Sequence, residues 1–455
     1  MNLSRRDLLK ASGIGAAALA LGGAATAAPA AEATASAASV ELMPKPAGKR
    51  VLIIGGGWGG LTAARYIKKE APEAEVVVLE KRDTFVSCPI SNEWLAGEIP
   101  MDFLTRDYFT AAKDFGYKIF QTTVTAIDRK TRTVTTTTGS VEYDYLLLSP
   151  GIAYDYSKWF GKDALAAERC RQECPPALMS GSEHVALKKM LEEFEGGNFI
   201  ISVPDGAYRC PPAPYERAAM MAHYMKKNGI QGKVIILDPK AKPAPKGPGF
   251  LAAYKELYAD IVDYRPNSLV KTVDLDKKEV IVTVTLPDER TEEVRIPYTA
   301  ANLMPVNKAS DVIAMAGVAG GKAGWGVMTS PTFQTKADER VFVIGDAVGG
   351  YPYPKSGAIA NGQGRIVASH IASLIQGRPA LKEVTLPENI CFSMVNGEEA
   401  ISIGVTFSLM DDKDLNGNDI KVIKPKMTEN NTRSTALGKT THSWFKGMMT
   451  DIFGS

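Results

Sequence analysis

Between Lys49 and Asp83 the chain reads KRVLIIGGGWGGLTAARYIKKEAPEAEVVVLEKRD, and no other stretch limits its fold as tightly. Val51–Ile54 is a short apolar run of the kind buried on both faces in a parallel sheet. Gly55, Gly57 and Gly60 follow as G-x-G-x-x-G at the start of a helical pattern. In such a motif the first glycine permits the tight turn, the second lets a pyrophosphate reach the backbone, and the third lets the helix pack on the strand. The open N–H groups of the helix start then face the phosphates. EVVVLE supplies the next strand and ends at Glu80, twenty-five residues after Gly55, where a carboxylate can accept hydrogen bonds from an adenosine ribose. The glycines alone are a weak sign. With a strand before them, a helix after them and the acid in place, they are a strong one.

A second segment, ERVFVIGDAVGGYPYPKSGAIANGQGRIVASHI, has an apolar strand, then Gly345-Asp346, then a helical run. It resembles the second FAD-binding motif of the glutathione-reductase-like flavoproteins, in which the aspartate binds the ribityl chain and the next helix points at the flavin. YDYLLLSPG, Tyr143 to Gly151, resembles the strand that leaves the FAD domain in that class. The resemblance implies an FAD-binding domain in two pieces, about 47–160 and 304–386. A second dinucleotide-binding-like domain, 161–303, lies between them, and a small C-terminal α+β interface domain follows at 387–455. The expected fold class is therefore α/β with two Rossmann-like domains.

The middle domain has lost its nucleotide motif. After the strand pattern NFIISVP the turn reads DGAYRCPPAPYERAAMMAHYMKK, with prolines and Cys210 where glycines belong. KVIILDP still offers a second strand, ending at Asp238. Such a chain keeps the fold and drops the pyrophosphate cradle, which argues against an NAD(P)H-dependent reductase.

The N-terminus carries Arg5-Arg6 before an Ala/Gly/Leu stretch with small-residue cleavage sites, the pattern of a Tat export signal. Residues 1–40 are assigned to this signal and a linker, and the mature chain to the periplasm, with no integral membrane segment after signal removal. Net charge is +2, and basic residues form no stripe, so nucleic acid is excluded as a partner. His184, His223, His370 and His442 show no metal-ligand spacing, and no metal site is expected. No Cys-x-x-Cys-His occurs, so any c-type haem belongs to another polypeptide.

Five cysteines remain: Cys88, Cys170, Cys174, Cys210 and Cys391. An odd number in an exported chain leaves one thiol outside any disulfide. Residue type alone allows Cys88 to be a small buried hydrophobe and Cys210 and Cys391 to form an inert bridge. It equally allows Glu216 to cap a helix and Lys355 to be a solvated surface lysine.

SCPISNEW (Ser87–Trp94), YRCPPAPYER (Tyr208–Arg217), PKSG (Pro354–Gly357) with the AN and QG that follow it, NICFSM (Asn389–Met394) and the C-terminal HSWFKGMMTDIFG carry a narrower likeness. Through them the chain resembles the flavoprotein subunit of flavocytochrome c sulfide dehydrogenase, a relative of sulfide:quinone reductase. The resemblance implies FAD bonded covalently to Cys88 through its 8α-methyl. It implies a redox-active disulfide between Cys210 and Cys391, with Glu216 handling protons. Lys355 and Gly357 fall where this family approaches the pyrimidine side of the flavin. Lys81 and Val124 join Gly55, Gly57, Gly60, Glu80 and Asp346 as expected cofactor-binding residues. The implied activity is oxidation of sulfide, with electrons passed to a c-type cytochrome subunit.

The chain departs from the family where GWGV (Gly324–Val327) and GDAV (Gly345–Val348) lack further cysteines. It has Cys170 and Cys174 instead, at a spacing that faces one way on a helix or closes a small loop. Two other functions stay open. A sulfide:quinone reductase needs amphipathic C-terminal helices, and MTENNTRSTALGKTTHSWFKGMMTDIFGS is polar until its last dozen residues. A flavin-bearing electron-transfer subunit without sulfide turnover is the other.

Overall fold

The computed structural model describes residues 41–329, 331–350, 352–378, 385–413 and 419–454. The twin-arginine segment lies outside them.

Parallel strands run side by side in the order Val341–Val343, Tyr145–Leu148, Arg50–Ile54, Glu75–Glu80, Lys118–Gln121. The strand farthest along the chain thus pairs with one from its first third, so two distant stretches build one sheet. Val51, Leu52, Ile53, Val77, Val78 and Leu147 are wholly buried, as expected of strands covered on both faces. At the start of the central strand Arg50 is also wholly buried. Its Nε donates to Glu75 at 2.6 Å, and its guanidinium reaches the Pro44 and Glu142 carbonyls. A buried charge is tolerated only with such complete pairing.

The turn into the helix Trp58–Glu70 depends on missing side chains. Gly55 sits at φ +106°, and a Cβ there would overlap the Ser149 carbonyl. A Cβ on Gly60 would overlap the Gly55 carbonyl oxygen, whereas one on Gly57 would meet nothing within 4 Å. The helix Gly357–Ile375 crosses Trp58–Glu70 equally closely: a Cβ on Gly364 would lie 2.6 Å from the Gly59 carbonyl oxygen. Asn361 fixes the crossing by donating to Thr62 Oγ1 at 2.9 Å and Asp451 Oδ2 at 3.0 Å.

A second parallel sheet runs Val262–Arg265, Gly232–Leu237, Gly197–Ser202, Ala300–Asn302. The helix Ala213–Asn228 follows Gly197–Ser202, and an antiparallel meander, Ser268–Asp274, Glu279–Thr285 and Thr291–Pro297, follows Val262–Arg265. Asn389–Met394 opens a C-terminal antiparallel sheet with Ala400–Lys413 and Asp419–Ser434. The final helix, Thr435–Phe453, returns to the first core through Phe445, Met449 and Ile452. The fold is mixed α/β with Rossmann-like sheets. No helix among the described residues is long and apolar enough to cross a membrane.

Gly60→Ala is expected to destabilise the protein by about 1–3 kcal/mol, the usual cost of overpacking. Urea denaturation checks this, and an unchanged midpoint would contradict the close strand–helix contact.

Candidate functional site

A cleft of about 750 Å³ opens at the carboxyl ends of the first sheet. Gly55, Gly57, Glu80, Lys81, Val124, Asp346 and Gly357 line it; Gly60 lies beneath, against Gly55. No side chain caps the helix at Gly57, so its first N–H groups stay open to the cleft. Glu80 is almost fully buried. It accepts from Gly56 N at 2.7 Å, from Lys81 N and Arg82 N at 3.0 Å, and from Arg82 Nε at 3.0 Å. Burial would raise its carboxyl, but the Arg82 charge and these N–H groups outweigh burial and hold it below its ordinary range. Asp346 pairs through Oδ2 with Arg209 Nε at 3.1 Å, while its Oδ1 is buried with no partner among the described residues. A buried acceptor without a donor implies a missing partner. An uncapped helix start, an open face over Gly57 and the orphaned Asp346 oxygen fit a dinucleotide bearing hydroxyl groups, and FAD is such a group.

A smaller cavity of about 70 Å³ adjoins this cleft, sharing Arg209, Ser356 and Gly357 with it. Cys88, Cys210, Glu216, Lys355 and Cys391 all line it, with Trp444. Residues from five distant stretches therefore meet in one place.

Cys88 follows the short strand Thr84–Val86, and its Sγ lies 3.5 Å from the Leu178 carbonyl. Arg82, Arg209 and Arg217 all stand close enough to interact with it electrostatically. Cys210 occupies a left-handed backbone, φ +53°, unusual for a side-chain-bearing residue. Its N–H donates to the Lys355 carbonyl at 2.8 Å, and its carbonyl accepts from Ala213 N at 2.8 Å, which pins the turn. Burial pushes the Cys210 thiol well up, with Cys391 and Glu216 adding to the effect. Cys391, on the strand Asn389–Met394, is raised by burial against the pull of Lys246.

Burial likewise holds the Glu216 carboxyl up, to about 7, although Lys246, the Ser393 hydroxyl and the Met394 N–H favour its charge. Its partners thus lie on the strand that carries Cys391, and this is more than a helix cap. Lys355 is buried, not solvated. Its ammonium donates to the Asp346 and Val348 carbonyls at 2.7 and 2.9 Å and stacks 3.5 Å above the Trp325 ring centroid. Burial pushes its amine down to about 8, with Asp346 opposing.

All five cysteines are thiols in this structure. Cys170 and Cys174 take the helical alternative. They stand one turn apart at the end of the helix Ala164–Glu173, wholly buried and hydrogen-bonded to each other, with Cys174 Sγ 3.6 Å from Tyr298 Oη. Neither lines either cavity.

In the second sheet Asp238 is wholly buried and already satisfied. Tyr215 and Tyr264 hydroxyls donate to its Oδ2 at 2.6 and 2.9 Å, and Lys240 donates to Oδ1 at 2.9 Å through both its N–H and its ammonium. Protein groups thus engage both oxygens of the acid at the end of this strand.

Sequence reasoning missed three residues at the small cavity or beside it. Arg209 stood inside a quoted motif, next to Cys210, and the signal was there to read. Trp444 stood in HSWF, within the C-terminal stretch that carries the family likeness. Lys246, in PAPKGPG, carries no sequence sign beyond a lysine at a helix start.

The raised Glu216 carboxyl has a stability consequence. Between pH 4.5 and about 7 the unfolded chain has released this proton and the folded chain has not, so stability falls as pH rises through that window and is level above it. Wild type should therefore lose about 3 kcal/mol relative to Glu216→Gln across it. Denaturant titrations at several pH values check this, and parallel curves would contradict the assignment.

Known proteins were compared with the chain. The family described as sulfide dehydrogenase (flavocytochrome c) flavoprotein chain, central, matches residues 184–297. Pyridine nucleotide-disulphide oxidoreductase matches 49–164, and the twin-arginine translocation signal matches 2–22. A sulfide dehydrogenase flavoprotein chain of Chlorobaculum thiosulfatiphilum is 46% identical over 44 residues, which are 10% of this chain and 92% of that one. The mitochondrial sulfide:quinone oxidoreductase of Mus musculus is 26% identical over 341 residues, 73% of each chain. The crystal structure of the sulfide:quinone oxidoreductase of Aquifex aeolicus superimposes with a TM-score of 0.69 at 21% identity, over 89% of this chain and 92% of that one, a likeness of fold. Glycine-turn sheet, filled second sheet and cysteine-lined cavity thus stand in a chain that belongs to the family of flavocytochrome c sulfide dehydrogenase flavoprotein chains.

Proposed function

We propose that this protein is the flavin subunit of a periplasmic sulfide dehydrogenase that oxidises sulfide at a Cys210–Cys391 disulfide and delivers electrons to a c-type cytochrome. One observation carries the reading: Cys88, Cys210, Glu216 and Cys391 line a single cavity that adjoins the dinucleotide cleft. The relatives named for sulfide oxidation support it, and the twin-arginine match supports export.

The two FAD-domain pieces, 47–160 and 304–386, would hold FAD through the Gly55–Gly60 turn, Glu80, Lys81, Val124, Asp346 and Gly357. Cys88 would anchor it covalently. When bound, FAD supplies a two-electron sink that can release electrons singly, which suits a one-electron haem acceptor. Hydrosulfide attacks the disulfide by thiol–disulfide exchange, leaving one cysteine as a persulfide and the other as a thiolate. The exchange itself moves no proton; Glu216, close to half-ionised near neutral pH, can take the proton of the persulfide once it has formed. Domain 161–303 serves as scaffold for Cys210, and 387–455 as the interface domain that supplies Cys391.

Quinone as acceptor is the second reading, because the mouse and Aquifex proteins are named for it. The final helix weighs against it here. Its apolar face, with Phe445, Met449 and Ile452, is buried in the protein, while Lys439, Thr440, Ser443, Lys446 and Thr450 face outward. Such a face offers little to a lipid surface.

Sulfide is expected to drive reduction of a c-type cytochrome in a steady-state assay and not of a soluble quinone analogue; the reverse preference selects the second reading. Absence of sulfide-dependent flavin bleaching leaves an electron-transfer subunit without sulfide turnover. Denatured wild type should keep a fluorescent flavin band on a gel and Cys88→Ala should lose it; free flavin from wild type refutes the covalent link. Cys210→Ser and Cys391→Ser should keep FAD but lose sulfide-dependent bleaching, and near-normal rates in both would remove the disulfide.

A further inference from the structure

The two sulfurs of the proposed disulfide do not share the same surroundings, and the difference is Lys246. This lysine is wholly buried at the start of the helix Gly247–Leu257, in a left-handed backbone conformation with φ +63°. Its backbone N–H donates to Glu429 Oε1 at 2.9 Å. Its ammonium donates to Ser393 Oγ at 2.7 Å and lies 3.5 Å from the Cys391 carbonyl and 3.6 Å from Cys391 Sγ. An ammonium has three donors and no acceptor, so these contacts use all of it. Among the described residues no carboxylate stands within ion-pair distance of it. Ser393 connects it to the Glu216 carboxyl instead. A buried cation without a contacting anion is costly unless an anion arrives. The neighbour placed to become one is Cys391.

We propose that Lys246 is a catalytic residue of the sulfur exchange: its ammonium stabilises the Cys391 thiolate as leaving group, so hydrosulfide attacks Cys210 Sγ and Cys210 carries the persulfide. This rests on the disulfide reading given above. In the step a bond forms between the incoming sulfur and Cys210 Sγ, and the Cys210–Cys391 bond breaks. The bond's electron pair leaves on Cys391 Sγ, and the hydrosulfide proton stays on the terminal sulfur. The incoming sulfur is oxidised and the bridge reduced, with no other reactant. The better-stabilised thiolate leaves faster, which sets the polarity. Glu216 disfavours negative charge at both cysteines and Lys246 favours it at both, but only Cys391 Sγ stands within hydrogen-bonding distance of the ammonium.

The test mixes the oxidised holoprotein anaerobically with one equivalent of sulfide, quenches and alkylates at short intervals, and maps the peptides by mass spectrometry. Wild type should show an alkylated Cys391 and an alkylated persulfide on Cys210. Lys246→Met should slow release of the Cys391 thiol by about ten- to a hundredfold, the range lost with a hydrogen bond to a charged group. Lys246→Arg should restore most of the rate. A persulfide on Cys391 in wild type, or wild-type release from Lys246→Met, overturns the proposal. If Lys246→Met does not fold, the wild-type map decides by itself. A map of the unreacted protein separates the two levels. No bridge between Cys210 and Cys391 overturns the disulfide reading and the polarity together. A bridge followed by a persulfide on Cys391 overturns the polarity alone.

Discussion

Three backbone contacts that no side chain could survive set the positions of everything else. Gly60 lies on the Gly55 carbonyl, Gly55 on the Ser149 carbonyl, and Gly364 against the Gly59 carbonyl. They draw the strand Arg50–Ile54, the helix Trp58–Glu70 and the helix Gly357–Ile375 to within backbone distance of one another. The last helix begins just after Lys355, whose carbonyl receives the Cys210 N–H. A fault in glycine packing on the first sheet would therefore be felt at a cysteine on the second.

The small cavity gathers charge of both signs out of water. Arg209 and Arg217 act on both Cys88 and Cys210, Lys246 touches Cys391, and Glu216 acts on both Cys210 and Cys391. Two of these cations are held by neutral oxygens, Arg217 by the Pro176 and Ala177 carbonyls and the Asn92 and Asn302 amides and Lys246 by Ser393, whereas Arg209 pairs with Asp346. Holding cations with dipoles instead of carboxylates leaves their charge free to act on sulfur.

The glycine turn, Glu80 and the Gly345-Asp346 segment could be read from the chain because each is a local pattern with a local cause. The cysteines could be read individually from the residues, but their meeting was expected only through the family resemblance. It depends on a strand pairing between Asn389–Met394 and Ala400–Lys413 and on a turn held at φ +53°, neither of which leaves a periodic trace. Lys246 was invisible for a related reason. Its neighbours Ser393 and Glu429 are more than a hundred residues away, and nothing in PAPKGPG distinguishes a buried ammonium from a solvated one. Lys355 shows the same ambiguity, and here too only tertiary packing against Trp325 decides it.

The filled pocket around Asp238 has a meaning beyond the loss of a ligand. The twin-arginine match marks the chain for export. With Tyr215, Tyr264 and Lys240 seated on Asp238, the acid that follows Gly232–Leu237 is engaged by the protein itself. The second sheet keeps a Rossmann-like frame and turns its buried acid to tying the helix Ala213–Asn228 and the strand Val262–Arg265 together.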